Sequence, residues 1–236
     1  MKSLLLLIIT LFSVATLRAQ APKDWAQLER YAPQNAALVS TPEVVFMGNS
    51  ITDFWINNDA EFFANNNFVD RGISGQTTCE MLVRFRQDVL SLQPQAVVIL
   101  AGINDIAQNN GRISLEAVAD NIISMCELAH AHGIKVVLCS VLPCDRFSWR
   151  SERKPAEQVK QLNALLHSYA KAHKIPYVDY HAALATSTGG LPVVLSADGC
   201  HPNRDGYVQM ESLVVEGIRK ALKNKKKYYT SLATQN

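Results

Sequence analysis

Cysteine is sparse and odd in number in this 236-residue chain, at Cys79, Cys126, Cys139, Cys144 and Cys200. Five thiols cannot all pair within one molecule, so at least one is unpaired or pairs between chains. Cys126 in a predicted helix and Cys139 in a predicted strand read as small buried apolar side chains. No CxxC pair or cluster of histidines at ligand spacing is present, so no metal or other cofactor is expected. Charge of either sign is also nearly missing on balance: 23 Lys and Arg face 21 Asp and Glu, a net charge of +2. That balance gives no electrostatic reason to expect nucleic acid or an anionic membrane as partner. The basic run from Lys223 to Lys227 reads as a solvated helix end.

Long apolar runs are lacking but for one. Leu4 to Val14 is apolar except for Thr10, and it is shorter than the roughly 20 residues a membrane span needs. It follows Met1-Lys2 and precedes Ala19-Gln20, the layout of a secretory leader cleaved after Ala19. The expectation is a signal peptide over residues 1–19, one soluble domain over 20–236, and export to the periplasm or medium without membrane insertion. The first cysteine is Cys79, so lipid attachment to a processed N-terminal cysteine is not expected. Internal repeats, low-complexity stretches and interdomain linkers are absent from the sequence.

Strands and helices alternate along the remainder. Trp25 to Tyr31 reads as a short helix. Apolar strands are predicted at Glu43–Met47, Phe68–Asp70, Ala96–Leu100, Lys135–Cys139 and Tyr177–Asp179. Helices are predicted over Cys79–Leu92, Ser114–His132 with Ser114 as cap, Pro155–His173 and Asn203–Leu222. Near-continuous apolar strands joined by helices predict a parallel five-stranded sheet covered on both faces, a three-layer α/β/α sandwich. Sites in such sheets form in the loops beyond the carboxyl ends of the strands.

Those loops hold the residues that could do chemistry. The first strand runs into Gly48-Asn49-Ser50, the second into Gly72-Ile73-Ser74-Gly75, and the third into Gly102-Ile103-Asn104-Asp105. Ser50 by itself would read as a helix cap. Beside a glycine N–H and a side-chain amide at the neighbouring strand ends, it reads as a nucleophile with donors for a tetrahedral oxyanion. A serine alcohol needs a base, and the base an orienting carboxylate. Of the six histidines, His130, His132, His167 and His173 fall on predicted helices, and His181 follows the last strand. His201 stands three residues after Asp198, just before the closing helix, which suits a His–Asp pair.

Together these blocks resemble the GDSL or SGNH hydrolases, and the resemblance runs from Glu43 to about Tyr207. Gly48-Asn49-Ser50 is similar to the Gly-Asp-Ser block, and Asp198-Gly199-Cys200-His201-Pro202 to the Asp-x-x-His block, with Gly206-Tyr207 after it. The resemblance implies a flavodoxin-like hydrolase fold, a catalytic triad of Ser50, His201 and Asp198, and an oxyanion hole of the Ser50 N–H, the Gly75 N–H and Asn104. Asn49 departs from the usual Asp. The implied activity is a serine esterase acting on short acyl groups, foremost O-acetyl groups on carbohydrates. A lysophospholipase or thioesterase and a non-catalytic glycan-binding relative are the alternatives. Trp149 and Arg150, after the fourth strand, are candidates for an aromatic and cationic substrate contact; Trp149 packed on the domain as an ordinary loop residue is the competing reading.

Overall fold

The computed structural model describes residues 24–234, and the expected leader, residues 1–19, lies outside them. Five strands form one parallel sheet: β1 Val44–Gly48, β2 Phe68–Gly72, β3 Ala96–Leu100, β4 Lys135–Cys139 and β5 Tyr177–Val178. Their order is β2-β1-β3-β4-β5. β1 and β3 are buried at every position, which is why they are made of β-branched and large apolar residues on both faces. β1 lies between β2 and β3, with Gly48 abreast of Gly72 on one side and Leu100 on the other. The loops after three strands therefore start side by side.

In chain order the helices are α1 Ala32–Ala36, α2 Ser50–Asp53, α3 Trp55–Asn58, α4 Ala60–Ala64, α5 Thr78–Asp88, α6 Ile103–Ile106, α7 Leu115–Ala131, α8 Ala156–His173, α9 Tyr180–Leu184, α10 Arg204–Leu222 and α11 Ser231–Thr234. α5, α7 and α8 pack side by side, whereas α10 lies against β3, β4 and β5 and reaches α3. The aromatic rings of Phe46, Trp55, Phe62 and Phe63 meet in the core beside β1. The expected cap is in place, Ser114 accepting from Ala117 N–H at 3.2 Å, and Asn203, predicted as the first residue of the closing helix, caps it instead by accepting from Gly206 N–H at 3.1 Å.

Two predicted helices differ. Trp25 to Tyr31 forms turns instead, because the Asp24 carboxylate accepts the N–H groups of Leu28 and Glu29, both at 2.9 Å. Gln27 adopts a left-handed conformation with φ 54°, which breaks a helical run. The helix forms one step later, over Ala32–Ala36, with a proline in its first turn. The predicted helix Cys79–Leu92 stops at Asp88 and continues as a 3₁₀ turn over Leu90–Leu92. Val89, fully buried, departs from helical geometry there and turns the chain toward β3.

Candidate active site

Ser50 is the first residue of α2, directly beyond the carboxyl end of β1. Asn49 caps that helix: its side-chain oxygen accepts from the Ile51 N–H at 3.2 Å. Ser50 is only 6% exposed, and its hydroxyl lies 2.8 Å from Nε2 of His201. His201 comes from the turn that precedes α10. Two anchors hold that turn over the sheet end: the Tyr207 hydroxyl donates to the Ile51 carbonyl at 2.8 Å, and Asn203 caps α10.

Behind the imidazole, Nδ1 of His201 faces Oδ2 of Asp198 at 2.6 Å. The other carboxylate oxygen, Oδ1, accepts the N–H groups of Cys200 at 2.9 Å and His201 at 2.8 Å. Burial alone would raise the Asp198 carboxyl. Hydrogen bonds from the His201 ring and from the His201 and Cys200 N–H groups outweigh it and bring the group down to about 2. Asp198 is therefore ionised throughout the neutral range. A hydroxyl, an imidazole and an ionised carboxylate in this order can move a proton off the hydroxyl and steady the resulting imidazolium.

The second and third loops sit alongside. Gly75 has φ 83°, in the left-handed region that favours glycine. Its neighbour Ser74 is fixed to the Ser50 helix, because both its N–H and its hydroxyl donate to Oδ2 of Asp53, at 3.1 and 2.5 Å. Asn104, 3% exposed, donates from Nδ2 to the Gln76 carbonyl at 2.9 Å. Asp105 accepts from the Thr78 N–H at 3.0 Å and the Thr78 hydroxyl at 2.7 Å. Burial pushes the Asp105 carboxyl up to about 6 even so.

Beneath these loops lies Arg84, fully buried. Its guanidinium donates to Gln76 Oε1 at 2.5 Å, to Asp88 Oδ2 at 3.0 Å and to the Gly48 carbonyl at 2.9 Å. One side chain thereby joins the end of β1, two residues before Ser50, to the residue after Gly75. Sequence reading passed over Arg84. The signal was there: Met81, Arg84, Phe85 and Asp88 share one face of α5, so a charged pair four residues apart stands within the apolar stripe.

The remaining expected residues divide. Trp149 comes to the site, with its ring centroid 5.8 Å from that of His201. Arg150 is held by the Gln108 carbonyl, to which its guanidinium donates at 3.4 Å. Phe54, not singled out from the sequence, also lies near His201, with ring centroids 5.3 Å apart. His130, His132, His167 and His173 are exposed residues on helices or a helix end, and His181 sits within α9. All five cysteines are free thiols, with Cys79 exposed and the others buried. Among the described residues no group of three or more His, Cys, Asp or Glu could hold a metal ion. Nor is any helix among them long and apolar enough to cross a membrane. A cavity of about 500 Å³ lies at the opposite end of the sheet, where Lys135 begins β4 and Pro176 precedes β5.

Comparison with known proteins agrees with this architecture. Residues 46–209 match the model of the GDSL-like lipase/acylhydrolase family. The crystal structure of a GDSL-like lipase from Bacteroides thetaiotaomicron is 46% identical over 84% of this chain and 99% of its own, with a TM-score of 0.81. An acetylxylan esterase of Geobacillus stearothermophilus shares the fold at 18% identity, over 77% of this chain and 95% of its own, with a TM-score of 0.60. The uncharacterized lipoprotein YqeF of Bacillus subtilis is 34% identical over 82 residues, so the match spans about a third of either chain. With the family model covering most of the described chain and a solved family structure matching almost end to end, this chain belongs to the GDSL-like lipase/acylhydrolase family and is a carboxylic ester hydrolase.

Proposed function

We propose that the chain hydrolyses short-chain esters, foremost O-acetyl groups on carbohydrates, with Ser50 as nucleophile, His201 as base and Asp198 as its orienting carboxylate. The observation that carries this reading is the unbroken line Ser50 Oγ, His201 Nε2 and Nδ1, Asp198 Oδ2, with separations of 2.8 and 2.6 Å. His201 takes the Ser50 proton as Oγ adds to the ester carbonyl. The carbonyl oxygen becomes an oxyanion facing the N–H groups of Ser50 and Gly75 and the Asn104 amide. Collapse of this intermediate leaves the acyl group on Oγ, and the alcohol departs with the proton from His201. Water, deprotonated by the same imidazole, then releases the acid and restores the Ser50 hydroxyl.

The turns after β1, β2 and β3 beside Ser50 are short, which favours a small acyl group, and a structural relative at 18% identity is an acetylxylan esterase. Export after cleavage at Ala19, giving one mature domain over residues 20–236, would place the enzyme where glycans occur. A relative named as a lipoprotein is compatible with export. A lipid acylhydrolase is the competing reading, and a chain-length series of p-nitrophenyl esters separates the two. A steep fall beyond acetyl supports the deacetylase, whereas a rise toward long chains replaces it with the lipase. The triad itself is tested by Ser50→Ala, which should abolish both p-nitrophenyl acetate hydrolysis and labelling by a fluorophosphonate probe. Wild-type turnover in that variant would refute it.

A further inference from the structure

Two exposed rings lie close to the same imidazole. Phe54 follows α2 four residues after Ser50, is 39% exposed and sits 5.3 Å from the His201 ring. Trp149 arrives from the segment after β4, is 41% exposed and sits 5.8 Å from that ring. Neither is left to wander. Phe54 belongs to the backbone junction between α2 and α3. Trp149 rests on the buried ring of Phe147 at 4.9 Å, and the guanidinium groups of Arg150 and Arg153 tie its segment to Gln108. Exposed aromatics held in place beside a base are preorganised for contact with a ligand.

The direction of proton transfer says which part of an ester they would meet. The imidazole returns its proton to the departing alkoxide, so the alcohol oxygen must come within about 2.6–3.2 Å of His201 Nε2. The carbonyl oxygen points elsewhere, toward Ser50, Gly75 and Asn104. Groups that flank the imidazole therefore flank the alcohol, not the acyl chain. Polar side chains adjoin the same place. Arg146, exposed, packs on the Asp198–His201 turn, where a Cβ on Gly199 would lie 3.1 Å from its guanidinium carbon. Asp145 is 3.4 Å from Arg146 Nη1 and accepts from the Thr188 hydroxyl at 3.0 Å.

We propose that Phe54 and Trp149 form the subsite for the alcohol half of the ester, and that this alcohol is a pyranose ring. A pyranose presents an apolar C–H face to an aromatic ring and hydroxyls at its edge to side chains such as Arg146 and Asp145. An alkyl alcohol would use the rings alone and make no contact with the polar groups at their edge. The inference rests on the proposed role of His201 and names what the ester oxygen is attached to.

The test uses two ratios of kcat/KM in the full-length protein. The alcohol ratio compares acetylated methyl xylopyranoside with ethyl acetate, and the acyl ratio compares ethyl acetate with ethyl butanoate. In Phe54→Ala, Trp149→Ala and the bulk-preserving Phe54→Leu, the alcohol ratio should fall about threefold to tenfold, the size of one aromatic contact. The acyl ratio should stay within about twofold, on the same scale. An unchanged alcohol ratio, or a shift in the acyl ratio instead, overturns the subsite even if Ser50→Ala and His201→Ala are inactive. Wild-type activity in His201→Ala overturns the mechanism beneath it, and a wild type that cleaves ethyl acetate but no pyranoside acetate overturns the glycan reading and the subsite together.

Discussion

The side-chain amide of Asn104 donates one of its two N–H groups to the main-chain oxygen of Gln76, 2.9 Å away. This bond fixes the amide against the residue that follows Gly75 and leaves the second N–H for the oxyanion of the proposed mechanism. Asn104→Ala should therefore lower kcat about 10²-fold or more with a much smaller change in KM, since the donor acts on charge that exists only in the transition state. Steady-state kinetics on p-nitrophenyl acetate would read it. A loss confined to KM would remove Asn104 from the oxyanion hole.

Asn49 stands where the family usually has Asp, and its oxygen caps α2 through the Ile51 N–H at 3.2 Å. A carboxylate can accept the same bond, and a negative charge at a helix N-terminus is tolerated. Asn49→Asp should keep kcat/KM within about threefold, less than one full hydrogen bond's worth. Asn49→Ala should lose roughly 0.5–2 kcal/mol of stability in urea unfolding. A larger activity change in Asn49→Asp would show that charge at this position matters to the chemistry.

The parts of the fold that were legible in the sequence are those in which one local pattern decides the outcome. β3 and β4 match their predicted bounds because five consecutive residues suited to a covered parallel strand have no helical alternative of that length. Trp25 to Tyr31 failed because a carboxylate four and five residues from its targets captured the backbone donors, a competition that periodicity does not register. At the site, Ser50, Asp198 and His201 were readable because each stands beside a structural boundary. Phe54 was not, since its importance lies in the His201 ring it touches after folding; for Arg84 the sequence carried only the sign of a charged pair on an apolar face, and its partners Gly48 and Gln76 come to it through the fold.

Arg84 and Asp88 form an ion pair at 3.0 Å with side chains 0% and 1% exposed. Asp88 also accepts from Asn35 Nδ2 at 2.8 Å. Removing the cation leaves a buried carboxylate without its counter-charge, so Arg84→Met should cost about 3–5 kcal/mol. Removing both charges avoids that penalty. Arg84→Met with Asp88→Leu should be less destabilised than Arg84→Met alone in urea unfolding. If the double variant is worse, packing and not the unpaired charge dominates.

Gly72 ends β2 where the Ser50 helix crosses it. A Cβ on Gly72 would lie 2.1 Å from the Asp53 N and 2.7 Å from its Cα, both backbone atoms that cannot rotate away. Gly72→Ala should push α2 off the sheet, costing about 1–3 kcal/mol and displacing Ser50 from His201. Turnover should fall more than a loss of stability of that size explains at 25 °C, where the variant remains folded. Unchanged kcat in folded Gly72→Ala would show that α2 tolerates the shift.

Three buried carboxyls set the pH dependence of stability. Burial pushes Asp70 and Glu211 up to about 7 and Asp105 to about 6. Each folded-state value is above the ordinary one of 3.8 for Asp or 4.5 for Glu. Their stabilising contribution is thus complete below about pH 4 and lost as pH rises through 6 to 7. Asp198 has the opposite sign, since its folded value is lowered to about 2, but its contribution is lost only as pH falls from about 4 toward 2. Between pH 5 and pH 8 His181, lowered by burial, acts in the opposite sense, but the three raised carboxyls together outweigh that one group, and Tm should be several degrees lower at pH 8, at roughly 2–4 °C per kcal/mol for a chain of this size. Asp70→Asn keeps the acceptor for the Gly72 N–H, a 2.7 Å bond in the native chain, and removes one titration. Its Tm should vary less with pH across that interval, and a variant as pH-sensitive as the wild type would mean that Asp70 does not titrate there.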